Sequence, residues 1–292
     1  MINGVEVVIE KGLANKLEEL KTDPNLPEII KETQKEAPAI ADQIENLKLD
    51  VNYKLLAGKI SDFDSDMIII LGGDGTLLRT QKQMKKEIPI FGINMGTVGF
   101  LTEIEVKDTY KTLKKILKGD YFIEKRSKLI VSHENHHYSA LNEVVIMTDS
   151  PSKMLHFEVE VDGEVVEEFR ADGLIVSTPS GSTAYSMSAG GPIIDPKLEA
   201  FIIIPICPYK LGVRPFVVSD KSEISVRLIR KGKKAVFVMD GQTTDEAEYE
   251  EEIKFKKSEK NVYFIRTSKK YFYKKVKEKL TDGGINTEPR CL

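Results

Sequence analysis

Long apolar runs, cysteine, histidine and net charge are all scarce in this chain of 292 residues. The run Phe201-Ile202-Ile203-Ile204-Pro205-Ile206 stops after six residues, far short of the roughly 20 that a membrane-crossing helix requires. The N-terminus lacks the apolar core of a secretory leader. Two cysteines, Cys207 and Cys291, lie far apart and offer no disulfide framework, which suits a reducing, cytoplasmic setting; Cys207 reads as a core residue. Of the four histidines, His133, His136 and His137 share a polar turn with Asn135. With neither cysteine nor spaced carboxylates beside them, they are a poor metal site. A formal net charge of −3 provides no global field for nucleic acid or an anionic membrane. The basic runs Lys269-Lys270 and Lys274-Lys275-Val276-Lys277 read as a solvated helix face. There is no internal repeat or low-complexity tract.

What is present is an ordinary globular composition, 41% hydrophobic and 30% charged, long enough for about two domains. The most informative stretch runs from Ile68 to Thr76. Ile68-Ile69-Ile70-Leu71 has no polar alternation, as in a parallel strand covered on both faces. Gly72, Gly73 and Gly75 then flank Asp74, and glycines permit positive φ and close backbone approach, so successive N–H groups can converge on an anion. Helical spacing resumes at Leu77, which sets a helix N-terminus beside that anion. A carboxylate repels phosphate, so Asp74 points either to a Mg²⁺ contact or to a base acting on an attacking hydroxyl. A plain strand-to-helix turn capped by Asp is the other reading.

Residues Val5 to Ile9 read as a strand, Leu13 to Leu20 as a helix, and Asp23 to Pro38 as charged, Pro-punctuated loop with a short helix. From Met67 a strand, a helix to about Lys86, a strand over Ile88 to Ile93 and a helix over Val106 to Lys118 predict a parallel α/β unit. Beyond Gly119-Asp120 the pattern changes to strands: Lys128 to His133, Ser139 to Met147, Phe157 to Val161, Gly173 to Ser177, Glu223 to Leu228, Ala235 to Met239 and Ile253 to Lys256. Asp162-Gly163 marks a hairpin. Tyr271 to Leu280 reads as a docking helix. The expected fold is an α/β N-terminal domain with a parallel sheet plus a β-rich C-terminal domain. The expected boundaries are 1–122, 123–268 and a helix with tail over 269–292 that docks on the N-terminal domain.

The run from Thr178 to Pro192 is dense in small and hydroxyl side chains. Small residues let a ligand reach the backbone, hydroxyls donate and accept, and Tyr185 offers a flat face for a ring; a loop that merely turns the chain is the competing reading. Asn142-Glu143 interrupts an apolar strand, and a buried carboxylate there needs a partner such as a ribose diol or an arginine. Arg170-Ala171-Asp172-Gly173 offers both charge signs, although Asp-Gly also forms turns.

Taken in order, Gly72-Gly73-Asp74-Gly75-Thr76, Phe91-Gly92-Ile93-Asn94-Met95-Gly96, Leu141-Asn142-Glu143 and the Thr178-to-Pro192 run resemble the NAD kinase family from about residue 66 to the C-terminal helix. The Gly-Gly-Asp-Gly loop is shared with phosphofructokinases and diacylglycerol or sphingosine kinases, whereas Ser-Thr-Ala-Tyr-Ser followed by Ala-Gly-Gly-Pro is similar to NAD kinases in particular. The resemblance implies phosphoryl transfer from ATP, or polyphosphate, to the adenosine ribose 2′-hydroxyl of NAD. It implies Asp74 as proton acceptor and Mg²⁺ on the leaving group. Its binding residues would be Gly72, Gly73, Gly75, Thr76, Arg79, Asn142, Glu143, Lys153, Arg170, Asp172, Ser180, Thr183, Ala184, Tyr185, Ser188 and Gln242. It also implies a homodimer or homotetramer whose subunits complete one another's sites. Two departures stand out: the chain starts near what is usually the family's second strand, and Tyr209 stands where relatives carry His. A lipid or sugar kinase and a non-catalytic NAD(P) sensor are the rival readings; the hydroxyl-rich run favours a polar dinucleotide over a lipid, and Asp74 disfavours a pure anion sensor.

Overall fold

The computed structural model describes residues 8–10, 56–96, 99–150, 153–268 and 271–281. They belong to two compact units, Met1–Tyr121 and Phe122–Leu292.

In the first unit β1 (Val8–Glu10) and β2 (Leu56–Gly58) pair in parallel. A second parallel pair, β3 (Ile68–Leu71) and β4 (Ile90–Asn94), aligns Ile68 with Ile90, and the short β5 (Ile104–Glu105) joins β4 in parallel. Helix α1 (Asp74–Gln83) links β3 to β4, and α2 (Thr109–Leu117) follows β5 after a 3-10 turn. β4 is buried throughout, but β3 alternates: Ile68 and Ile70 are buried while Ile69 and Leu71 are 45% and 53% exposed. The expectation of a strand covered on both faces therefore fails for β3 among the described residues, because successive side chains of a strand face opposite sides. β4 starts after Pro89 rather than at Ile88; proline has no N–H for a ladder, and its carbonyl instead accepts from Ile68 N at 2.8 Å. Of the expected strand over Val5 to Ile9, residues 8 and 9 are described, and the expected helix at 13–20 and loop at 23–38 lie outside the described residues.

The second unit is β-rich. Strands β6 (Phe122–Arg126), β7 (Leu129–His133), β8 (His136–Ala140), β9 (Glu143–Thr148), β10 (Leu155–Val161), β11 (Glu164–Ala171) and β12 (Gly173–Ser177) precede a helical turn, α3 (Tyr185–Ser188). Then come β13 (Ala200–Ile206), β14 (Phe216–Ser219), β15 (Ile224–Leu228), β16 (Ala235–Met239), β17 (Thr243–Ala247), β18 (Glu252–Lys257), β19 (Val262–Arg266) and helix α4 (Tyr271–Thr281). Two six-stranded antiparallel sheets form, ordered β11-β10-β15-β18-β7-β8 and β14-β13-β12-β9-β16-β17, and β6 pairs antiparallel with β19. The sheets share a core that includes Val131, Val144, Ile146, Phe157, Leu174, Val176, Phe237 and Phe255. Ile175, Ile202, Ile204 and Ile206 point to the opposite face of the second sheet, where Ala189 and Ile194 cover them. That second covering explains why β12 and β13 are buried along their whole length.

The single strand expected over Ser139 to Met147 is two strands, β8 and β9, in different sheets. Leu141-Asn142 is the corner between them. Asp162-Gly163 forms the expected hairpin between β10 and β11, with φ of 52° and 83°, as a two-residue turn of this hand requires. Cys207, expected in the core, is exposed just past β13.

Candidate active site

In the first unit, Gly73 is extended and caps α1, so the helix starts at Asp74 itself, three residues before the sequence pattern suggested. Thr76 N and Leu77 N both close onto Gly73 O, at 3.0 and 3.2 Å. Of the loop glycines, Gly72 takes a positive φ of 153°, Gly73 is extended and Gly75 is helical. A β-carbon on Gly73 would meet nothing within 4 Å. The loop thus presents open backbone at the positive end of a helix dipole, where an anion is favoured.

The Asp74 carboxylate is held by the chain after β4. Oδ2 accepts from Phe100 N at 2.7 Å; Oδ1 accepts from Leu101 N at 3.0 Å and Thr102 N at 3.4 Å. A carboxylate has about four lone-pair positions, so three donors orient it and leave one direction open, on Oδ2. Arg79 is exposed and donates to Thr76 Oγ1 at 3.2 Å, not to Asp74.

In the second unit the corner Leu141-Asn142-Glu143 is held from both sides. Thr178 Oγ1 donates to Leu141 O at 2.6 Å, while Thr178 N and Ser177 Oγ donate to Asn142 O at 2.9 and 3.2 Å. A β-carbon on Gly181 would stand 2.2 Å from Asn142 O, so only glycine fits there. On the other side the three amides donate to Asp240 (Leu141 to Oδ2 at 2.7 Å, Asn142 and Glu143 to Oδ1 at 2.8 and 3.2 Å). With the backbone consumed, the side chains are left over. Asn142 and Glu143 are each 7% exposed, yet Asn142 Oδ1 and Glu143 Oε2 have no hydrogen-bond partner. Burial, and then the Asp240 charge, push the Glu143 carboxyl up to about 8. Buried polar atoms left without partners are costly, and this pair leaves two acceptor atoms unspent at one corner.

The hydroxyl-rich run behaves differently from its sequence reading. Most of its hydroxyls hold the chain rather than face outward. Ser182 Oγ donates to Pro179 O at 2.7 Å and accepts from Ile194 N, Thr183 Oγ1 reaches Ser180 O, and Ser180 Oγ accepts from Arg126 at 3.0 Å. Tyr185 is 41% exposed, Ser188 is exposed and Ala184 is half-buried, so these present the open surface of the run. Ser186 Oγ is buried without a hydrogen-bond partner.

Gln242, half-buried, likewise has Nε2 without a partner. Lys153 is exposed. Arg170 is exposed and lies over the Tyr209 ring, 4.6 Å from its centroid, and Asp172 holds the β11–β12 corner through Thr148 N at 3.0 Å. The Tyr209 ring therefore attracts the guanidinium by a cation–π contact.

Sequence reasoning missed four residues here. Asp240 was not singled out from the sequence, although its Asp-Gly turn was a visible signal. Glu124, Arg126 and Arg266 form a buried cluster behind Ser180, in which Glu124 Oε2 accepts from Arg126 at 3.0 Å and from Arg266 Nε at 2.7 Å. Burial pushes Glu124 up, but the two guanidiniums bring it below its usual range, and burial brings Arg126 down to about 10. Their positions on paired strands β6 and β19 carried no local sequence signal.

Comparison with known proteins covers both units. The family model for the ATP-NAD kinase N-terminal domain matches residues 1–121, and that for the ATP-NAD kinase C-terminal domain matches residues 141–267. An NAD kinase of Methanothermobacter thermautotrophicus is 59% identical over 229 residues, 78% of this chain and 81% of that protein. The crystal structure of an NAD kinase from Archaeoglobus fulgidus in complex with ATP superposes with a TM-score of 0.68 at 33% identity, covering 88% of this chain and 96% of that one. Yeast NADH kinase complexed with NADH shares the fold, with a TM-score of 0.73 at 23% identity over 91% and 85% of the two chains.

Proposed function

This chain belongs to the NAD kinase family, and from that premise we propose how its own residues carry out phosphoryl transfer from ATP to NAD. The acceptor is the adenosine ribose 2′-hydroxyl. Asp74 takes its proton on Oδ2, the oxygen with a free direction, as the hydroxyl oxygen bonds to the γ-phosphorus and the bond to the β-phosphate oxygen breaks, leaving ADP and NADP. A sugar hydroxyl is a weak nucleophile, and a placed base contributes roughly a hundredfold or more. Gly73 and Gly75 bring open backbone and the α1 N-terminus to the phosphates, while Gly72, whose N–H is spent on Ile93 O at 2.9 Å, makes the turn into the loop. Asn142 and Glu143 receive the ribose hydroxyls, and Ala184, Tyr185 and Ser188 face the rest of the dinucleotide, with Gln242 supplying a donor.

Among the described residues no three carboxylate, imidazole or thiol groups converge to cage a cation. Magnesium enters this reading as the counter-ion of the triphosphate, where it would offset charge on the leaving group.

The observation that carries the mechanism is the three-amide hold on Asp74. Asp74→Asn is expected to bind NAD with near wild-type affinity while kcat falls by about a hundredfold or more. Purified protein with ATP, Mg²⁺ and NAD, read by an NADP-specific dehydrogenase, checks this; wild-type turnover in the variant removes Asp74 from the chemistry.

A further inference from the structure

We propose that Asp240 is a positioning residue of the acceptor site: clasped to the consecutive amides of Leu141, Asn142 and Glu143, it sets the Asn142 and Glu143 side chains in the orientation that receives the ribose. This rests on the reading of Asn142 and Glu143 as the ribose-binding pair.

Register delivers Asp240 to the corner. β16 pairs antiparallel with β9 so that Met239 lies opposite Val144, and the next residue along β16 arrives beside Glu143. There Asp240 N donates to Glu143 O at 3.0 Å while Glu143 N donates back to the Asp240 carboxylate. The turn that follows aims the side chain. Asp240 and Gly241 have φ of 49° and 65°, and Gln242 N closes onto Met239 O at 2.9 Å. Asp and Asn tolerate that left-handed conformation better than most side chains.

An Asp-Gly hairpin does not make such a clasp by itself. Asp162-Gly163 forms the same kind of turn, yet there the Asp162 carboxylate accepts from a single amide among the described residues, Glu223 N at 2.9 Å. The closer parallel is Asp74, which also accepts from three consecutive amides, Phe100 to Thr102. In both places the carboxylate converges neighbouring N–H groups and so fixes the local backbone. At Asp74 the carboxylate itself is put to use; at Asp240 the adjoining side chains are.

The clasp also couples the two acids. Asp240 faces Glu143 directly, and Lys128 is the cation that acts on Asp240 from the β6–β7 side. Removing the Asp240 charge lets Glu143 ionise at lower pH. A ribose hydroxyl donates best to the ionised carboxylate, so the pH at which NAD affinity improves should move with it.

The experiment measures KM for NAD and kcat in full-length enzyme from about pH 6 to about pH 9. Asp240→Asn keeps the backbone preference but turns an acceptor into a donor against the amides. It should raise KM for NAD by about tenfold or more, the scale of an unmet buried donor, leave kcat within about threefold, and shift the pH limb of KM to lower pH. Wild-type KM with an unmoved limb overturns the proposal. If Asp240→Asn does not fold, Asp240→Glu decides: it keeps the charge but displaces the carboxylate, so raised KM supports the proposal and unchanged KM overturns it. Glu143→Gln, run alongside, separates the two readings. An unchanged KM in Glu143→Gln overturns the ribose-binding assignment and this inference with it; a raised KM there with no effect of either Asp240 variant overturns the positioning role alone.

Discussion

A β-carbon on Gly99 would stand 2.0 Å from Asp74 Oδ1 and 2.6 Å from its Cγ. The glycine thus lets the backbone of Phe100 to Thr102 close over the carboxylate, and any larger residue must push one from the other. Gly99→Ala is expected to fold, as judged by circular dichroism, but to lose turnover by about a hundredfold, as though the base had been moved out of reach. An alanine enzyme with wild-type kcat would show that the amide hold is dispensable. Asp74 was legible in the sequence because three glycines announce it; Gly99 was not, because its requirement comes from a side chain 25 positions earlier. Cys207 shows the opposite error. Its apolar neighbours suggested a core position, but the chain leaves the sheet there with a φ of 48° and carries the thiol outward.

Among elements, the break between β8 and β9 matters most. Apolar residues run from Ala140 to Ile146 apart from Asn142-Glu143, so periodicity joins them into one strand. The structure splits them because the amides of residues 141 to 143 bond to a side chain instead of a neighbouring strand, which ends one ladder and starts another in a second sheet. Thr178 holds the same corner from the carbonyl side and is fully buried. Thr178→Val keeps the shape but leaves Leu141 O without that donor and should lower unfolding free energy by about 1–3 kcal/mol, with a raised KM for NAD. Chemical denaturation together with steady-state kinetics checks it; equal stability would show that the corner does not depend on this hydroxyl. The strands with strong alternation or turn signals, β10, β12 and β16, were legible to within a residue or two. β6, β14, β17 and β19 were not, since their side chains alternate weakly and each is defined by the strand beside it.

At the scale of the whole molecule, the buried acids leave a signature in stability against pH. Glu143 has its proton held from the ordinary value of 4.5 up to about 8, and Asp240 is raised as well, mainly by burial. A raised acid binds more protons folded than unfolded within that window. Its contribution is therefore fully present below about 4.5 and is lost as pH rises through about 8. Glu124, Asp245 and Glu252 are lowered and act in the opposite sense, losing their contribution as pH falls. Glu143→Gln isolates one group: relative to wild type, the variant should gain stability as pH rises from about 5 to about 8, by up to a few kcal/mol. Parallel denaturation curves across that range would mean that Glu143 is not held protonated by its surroundings. The sequence alone determined the class of the two units, the Gly-Gly-Asp-Gly loop, the helix behind it and the family to which the motifs point, because glycine spacing and hydrophobic period are local properties of a chain. Only the tertiary structure decided where the hydroxyls of the Thr178 run are spent, which side-chain atoms of Asn142 and Glu143 are left without partners, and that Asp240 takes up the amides beside them. Those outcomes depend on which backbone groups remain unpaired once distant strands have come into register, and no neighbouring residue encodes that.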